Sequence, residues 1–485
     1  MASDDPDSRH NRRPSNPLTE GSILSSLVRL SGPIVATNLL QTAYQWIDTI
    51  WVGRVGATAV AAVSLSFPIM FLLISLGIGL GIAGTVLVAQ YKGRGDRTNV
   101  DHVAAQTMIA VVAVSVLIAV VGYVLTPELI ALMNPPAAIY PDAVTYLQVI
   151  FLGMVFLFAY FVFQSLMRGV GDVRTPFLLV LGTVILNSAL DPFLILGWGP
   201  FPAMGVGGAA LATIISQGIA AIVGLGLLAS GRYEIHLRWR EHLHLDVPLV
   251  RRMFALGLPA SVEQSTRAVG LVAMTFLVAS FDTTTVAAYG IGGRVLSFVI
   301  IPALGLAMAT TTLVGQNVGA GKVERAERIA ILSGQIGFVA LTLVGGLFFW
   351  WAEPTARLFI PNDPDVIAVT VEFLRVIAFS FGFVGLQQVI SGAFRGAGDT
   401  KTAMILAIIL LWVLQFPIAY GLSKLTELGP WGLWWSFPIS NVIAAVIAWF
   451  WFARGTWKTK QVTHAEQLQQ QVYQEVLVDE GVEEA

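Results

Sequence analysis

The sequence predicts an all-α polytopic membrane protein with twelve transmembrane helices in two pseudo-symmetric six-helix bundles. Three observations point there. Apolar runs recur along almost the whole 485 residues, and they are long enough to cross a hydrocarbon core of about 30 Å, which takes roughly 20 helical residues. When those runs are threaded back and forth through a bilayer, Lys and Arg collect on one side. The chain also repeats itself at a nearly constant offset of 226–227 residues.

Composition supports the first observation. The chain is 55% hydrophobic and 12% charged, against about 25% charged in a typical soluble domain. A net charge of −2 provides no field that would gather nucleic acid. The absence of cysteine excludes disulfides, thiolate metal sites and cysteine nucleophiles. Residues 1–22, which include SDDPDSRHNRRPSN, are too hydrophilic for a signal peptide and are expected to form a disordered cytoplasmic tail.

Cutting at polar and Pro/Gly punctuation places helices near 26–52, 57–90, 100–125, 139–167, 176–197, 205–230, 249–280, 285–315, 327–351, 365–394, 402–422 and 432–454. With the N-terminus inside, the inner segments hold 22 Lys and Arg, while the outer loops hold only Arg54, Arg357 and Lys424; Arg267, Arg294 and Arg375 fall within spans. A wrong number of spans would scramble that ratio. Both termini are therefore expected on the cytoplasmic side of the plasma membrane, in a chain embedded in lipid as a monomer.

The repeat is carried by several anchors. RGVGDVRT at 168–175 returns as RGAGDTKT at 395–402, and VAQYKGRGD at 88–96 returns as VGQNVGAGK at 314–322. Six spans per repeat is an even number, so both repeats share one topology, related by an axis along the membrane normal with a cavity between them. The expected division is a first bundle over 23–230, a cytoplasmic linker over 231–248, a second bundle over 249–454, and a cytoplasmic tail over 455–485. In that tail Leu468, Val472 and Val476 stand at helical spacing.

In VILNSALDPFLIL (184–196) Asn187 and Asp191 interrupt an apolar run four residues apart, which puts them on one face of helix 5. Pro192 lacks an N–H, so the Ser188 carbonyl loses its helical partner. Pro192 and Pro33 of helix 1 are candidate hinges, with a static kink as the alternative. Asp48 lies on helix 1, with Tyr44 and Gln41 one and two turns before it. A carboxylate at membrane depth costs about 2.5–3.5 kcal/mol on insertion scales, so it needs a partner, a proton or a task. The plainer alternative is that Asp191 caps the Pro192 kink and Asp48 marks the end of its helix. Against that, the second repeat has Met274 at the position of Asp48, and Phe416 or Pro417 at that of Asp191. A requirement of the scaffold would appear twice.

Glu263 in helix 7 has two readings. It forms an i,i+4 ion pair with Arg267, or it lines the cavity beside Gln264 and draws in cationic substrate. Tyr160 and Gln164 share a face of helix 4 and are candidates to line the cavity with Gln41 and Tyr44, or else to pack the core; Gln387 and Gln388 are similar. Glu372 and Arg375 are expected to pair. GLGIAG, with Gly79, Gly81 and Gly84, matches GxGxxG but sits mid-span without a preceding strand, so it is expected to be a helix-packing surface. No P-loop, HExxH or complete hydrolytic triad appears, which disfavours an ATP-driven pump, a membrane hydrolase or any other enzyme. No cofactor is expected.

Taken in order, several stretches resemble the multidrug and toxic compound extrusion (MATE) family over essentially the full length. They are QWIDTIWVG ending helix 1, RGVGDVRTP and RGAGDTKT after helices 4 and 10, LNSALDP in helix 5 and GVGGAALATIIS opening helix 6. The resemblance implies a MATE-type, V-shaped exporter of small drug-like, often cationic compounds, exchanged for H⁺ or Na⁺ by alternating access. It is closer to the DinF-like branch, which places coupling residues at positions matching Asp48, Asn187, Asp191 and Thr213. Two carboxylates, an amide oxygen and a hydroxyl suit Na⁺. They suit proton exchange equally, since two carboxylates in low dielectric tend to share one proton. In the NorM-like branch a helix-7 glutamate works with a helix-10 acid eleven residues before the RG motif; here that position is Val384, which speaks against a Na⁺ site of that kind. The alternatives are a lipid-linked oligosaccharide flippase of the same superfamily, which would want more cavity cations than Arg267 and Arg294, and a passive channel or receptor.

Overall fold

The computed structural model describes residues 16–237 and 244–459. Among them every regular element is helical. A one-turn helix, Pro17–Glu20, leads into α1 (Ile23–Gly53), α2 (Ala57–Arg94) and α3 (Arg97–Leu132). Next come α4 in two pieces (Tyr140–Leu152 and Met154–Val170), α5 (Arg174–Leu196) and α6 (Gly205–Ala229). The second repeat holds α7 (Val247–Ala279), α8 (Thr283–Gly319), α9 (Val323–Trp350), α10 in two pieces (Pro364–Ala378 and Phe381–Gly396), α11 (Thr400–Lys424) and α12 (Pro430–Ala453). A short helix, Ala352–Phe359, follows α9.

Nine described helices are long and apolar enough to cross a membrane, or eleven when each bent pair counts as one span. The remaining one is α7. Its 33 residues suffice in length, while Glu263, Gln264 and Arg267 dilute its apolar character. The chain is a multi-pass membrane protein. The expected spans coincide with these helices, apart from breaks that periodicity does not show.

The breaks obey the repeat. The two pieces of α4 meet at 56° and those of α10 at 48°, around Gly153 and Phe379, which are 226 residues apart. At Gly153 a Cβ would lie 2.2 Å from Ile214 Cγ1, so α6 packs directly into the bend. At the other, the Ile377 carbonyl accepts from both the Ser380 N–H at 2.9 Å and the Ser380 hydroxyl at 2.6 Å. The span α11 also widens into a π-helical stretch over Ile409–Gln415, just ahead of Pro417, which has no N–H to continue the ladder.

The repeated RG motif has a structural explanation. Gly171 (φ 92°) and Gly398 (φ 91°) turn the chain out of α4 and α10 in the left-handed region that glycine enters without strain. The following aspartate then caps the next helix. Asp172 accepts from the backbone N–H groups of Arg174 and Thr175, each at 3.0 Å, and Asp399 accepts from that of Thr402 at 3.3 Å. The GLGIAG run is a packing surface, as expected. A Cβ on Gly79 would fall 2.0 Å from Ser261 Oγ of α7, and one on Gly81 would fall 2.6 Å from Ser165 Oγ of α4.

One buried cluster gathers α1–α6 and the start of α7. Another joins Leu27, Leu30 and Ile34 of α1 to α8, α9, α10, α11 and α12. The first turns of α1 therefore pack with the second repeat. The expectation of a disordered tail through residue 22 fails from Asn16 onward, because Asn16 caps the Pro17–Glu20 turn and Leu18 is buried in that second cluster. The spacing of Leu468, Val472 and Val476 lies outside the described residues. The linker is clasped to α3 where it enters α7. The Gln106 amide donates to the His244 carbonyl at 2.6 Å, and His102 Nε2 stands 3.0 Å from Asp246 Oδ2. That bond, with the helix cap from Leu249 N–H, holds the Asp246 carboxyl below the usual carboxylate range.

Candidate functional site

The polar residues singled out in the first repeat converge. On α1, Gln41, Tyr44 and Asp48 follow one another by single turns on one face. The Tyr44 hydroxyl lies 2.7 Å from Thr213 Oγ1 of α6. From α5, Asn187 and Asp191 are fully buried. With the Asn187 amide in the orientation that satisfies both of its ends, its NH₂ donates to Asp191 Oδ2 at 3.2 Å and its oxygen accepts from the Thr213 N–H at 3.3 Å. Three helices are thus tied together through Asn187, Thr213 and Tyr44.

The carboxylates are less well provided for. Asp48 Oδ1 and Asp191 Oδ1 are both buried with no hydrogen-bond partner. The two acids lie close enough for the charge of one to be felt at the other, and Tyr44 and Tyr146 lie within the same reach of Asp48. Neither acid has an ion-pair partner among the described residues. A buried anion without a cation is costly, and the cheapest relief is a proton or a bound cation. No group of three or more His, Cys, Asp or Glu side chains among the described residues is arranged to hold a metal ion. The ring of Tyr146, from the first piece of α4, was not found from the sequence. It stands in an apolar run and carries no spacing signal, since its acid neighbour is on another helix.

The cavity candidates are placed less uniformly. Gln41, Tyr44 and Gln264 are half-buried. Tyr160 and Gln164 are 3% and 1% exposed, and the Gln164 amide donates to the Tyr160 carbonyl of its own helix at 3.5 Å; the packing reading describes both in this conformation. Glu263 is also fully buried, which takes it out of any open cavity wall. Its Oε1 accepts from Arg267 Nη2 at 3.1 Å, as the i,i+4 spacing suggested, and from Arg395 Nη1 at 2.7 Å. Arg395 belongs to the second RG motif and was not singled out, because motif matching treats it as equivalent to Arg168. The expected Glu372–Arg375 pair does not form among the described residues. Arg375 lies instead over the Phe349 ring, 5.8 Å from its centroid. Of the candidate hinges, Pro33 and Pro192 both sit inside unbroken helices, and the hydroxyl of Thr37 donates to the Pro33 carbonyl at 2.8 Å.

The MatE family model matches residues 33–193 and 259–421. The chain belongs to the MATE family. The two matches begin 226 residues apart, the offset of the internal repeat. Among curated relatives it is similar to "Probable multidrug resistance protein YpnP" of Bacillus subtilis (strain 168), 31% identical over 92% of this chain and 98% of that one. It is also similar to "Probable multidrug resistance protein YoeA" of the same organism, 29% identical over 89% and 93%. Among solved structures it resembles one described as the outward-facing conformation of a multidrug resistance MATE family transporter, with a TM-score of 0.84 at 26% identity over 91% of this chain and 98% of that chain. A MATE complex with MaD3S matches at a TM-score of 0.85 and 26% identity, over 92% and 98%. The twelve-helix MATE architecture is the fold of this chain.

Proposed function

We propose that this MATE protein is a secondary active exporter of small drug-like, often cationic compounds, driven by proton antiport through Asp48 and Asp191. The observation that carries the reading is the pair of buried carboxylates, each with an unpartnered oxygen and no cation beside it. Protonating one of them removes one buried charge and the repulsion felt by the other, and loss of the proton restores both, so occupancy biases the packing of α1 against α5 and α6. Export of drugs is supported by the multidrug resistance names of YpnP and YoeA. The Asn187 orientation that donates to Asp191 Oδ2 suits a site without Na⁺, while the opposite one, with the amide oxygen facing that carboxylate, is what a bound Na⁺ would draw; the proton reading rests on the two acids themselves.

The same residues favour the DinF-like branch over the NorM-like one. Val384 stands where NorM-like proteins carry their helix-10 acid, and Arg395 already engages Glu263. A flippase reading loses its cations in the same way: Arg267 and Arg395 are bound to Glu263, and Arg294 lies over the Phe359 ring at 5.9 Å. The positive-inside distribution supports cytoplasmic termini in the plasma membrane, and two bundles moving as a monomer suffice for alternating access.

The test is reconstitution into liposomes loaded with a fluorescent organic cation. An imposed pH gradient at equal Na⁺ should drive efflux, and a Na⁺ gradient at equal pH should not. The reverse result rejects the proton assignment, and efflux insensitive to both rejects antiport.

A further inference from the structure

The repeated VAQYKG and VGQNVG stretches, ending α2 and α8, cross each other where the two repeats meet. Gln90 and Gln316 are fully buried there and 226 residues apart. Each donates its side-chain amide to a carbonyl of the opposite repeat. Gln90 Nε2 reaches the Gly396 carbonyl at 3.1 Å, and Gln316 Nε2 reaches that of Gly169 at 2.9 Å. Those acceptors are themselves equivalent, as the glycines of the two RG motifs. The backbones cross so closely that a Cβ on Gly93 would lie 1.9 Å from the Gln316 carbonyl oxygen, and one on Gly319 would lie 1.9 Å from that of Gln90. The result is a latch with twofold pseudo-symmetry, made of one buried amide bond in each direction.

One arm of the latch is braced and the other is not. The side-chain oxygen of Gln90 is buried without a partner. That of Gln316 accepts from Asn16 Nδ2 at 3.1 Å. Asn16 opens the short turn before α1, and that turn is fastened on both sides. From α8 and beyond, Asn317 Nδ2 donates to the Leu18 carbonyl at 3.1 Å, Lys322 Nζ donates to that of Thr19 at 3.2 Å, and Arg325 donates to that of Gly21. From the first repeat, Gly171 receives the Leu18 side chain so closely that a Cβ there would lie 2.5 Å from Leu18 Cδ1.

We propose that Asn16–Gly21 is a gating strap that locks the Gln316 arm of this latch, so that its release permits the repeats to part at this end. Asn16 and Gln316 are then positioning residues of the transport cycle, touching neither substrate nor coupling ion. An opening motion must break both amide-to-carbonyl bonds, and it must also peel Asn16 from Gln316 and Leu18 from Gly171. Because the strap acts on one arm alone, the two arms are unequal although the backbones around them are alike.

The natural absence of cysteine allows a direct test. Arg174→Cys and Lys401→Cys, at exposed equivalent positions after the two RG motifs, take spin labels whose separation reports how far the repeats part at this end. In nanodiscs, Asn16→Ala with Leu18→Ala should raise the population of the longer distance about fivefold, the effect expected from losing about one buried hydrogen bond's worth of bias. Asn16→Ala should add little in a Gln316→Ala background and add fully in a Gln90→Ala background. Lys322→Ala, at a partly exposed side chain, loosens the strap without touching the latch and should shift the distances the same way by less. An unchanged distance distribution in both the Asn16/Leu18 and Lys322 variants overturns the strap, as does full additivity of Asn16→Ala with Gln316→Ala. These readouts require neither substrate nor gradient, so they stand apart from the proton assignment.

Discussion

The two repeats of this MATE protein treat buried acid in opposite ways. In the first, Asp48 and Asp191 are sunk among α1, α5 and α6 with an orphaned oxygen each. In the second, Glu263 is fully buried and its Oε2 is likewise unpartnered, but its Oε1 is held by two arginines. Equivalent positions sharpen the contrast. Where the second repeat has Glu263 and Arg267, the first has Thr37 and Gln41, and Thr37 spends its hydroxyl on the Pro33 carbonyl of its own helix. The RG-motif arginine of the first repeat, Arg168, therefore finds no carboxylate there and donates to Ser165 Oγ at 2.8 Å. Its counterpart Arg395 finds Glu263. The lesson is that one backbone plan accommodates both a neutralised brace and an unneutralised pair. In the proposed mechanism the second kind of site is the one that trades its proton, because no arginine holds it charged.

Removing one acid from each region should break the comparison most visibly. Asp191→Asn is expected to reduce gradient-driven efflux to background while the melting temperature holds, since an amide cannot release a proton but fills the same space. Liposome transport and thermal unfolding measured on one preparation decide it, and full retention of pumping would end the coupling role. Glu263→Gln should do the opposite. It leaves Arg395 and Arg267 facing each other without a counter-charge, at a cost of about 3 kcal/mol, the lower end for a broken buried pair because Arg267 keeps some solvent contact. Lost thermal stability, rescued in part by Arg395→Gln, is the signature.

Smaller effects refine the picture. Tyr44→Phe deletes the bond to Thr213 and should cost about 1 kcal/mol, read as a few-fold fall in transport. Thr213→Val in that background should add little, because the two side chains share one interaction. Arg375→Ala, remote from both regions, should change stability by no more than about 0.5 kcal/mol. A larger loss would mean that its contact with Phe349 matters more than its exposure implies.

Much of this architecture was legible beforehand. Span positions follow from apolar length, because lipid leaves a backbone little choice but to satisfy itself in helices. The repeat was visible as RGVGDVRT and RGAGDTKT, and the GLGIAG run was readable as packing from its mid-span setting. Asn187 and Asp191 were paired by simple helical spacing. The bends at Gly153 and Phe379 were not legible, since each depends on what packs into the gap. Tyr146 and Arg395 were missed for a related reason: each meets its acid neighbour across a gap of about a hundred residues or more, where periodicity carries no information.

What the sequence determined by itself was the number of crossings, their duplication and the location of the costly acids, because those follow from local composition and from the penalty for burying charge in lipid. What the tertiary structure alone decided was partnership: which carboxylate receives an arginine, which glutamine reaches across to the other repeat, and that Asn16 leaves the tail to brace one of them. Partnership depends on helix crossings a few ångströms apart, and no pattern along a single helix encodes them.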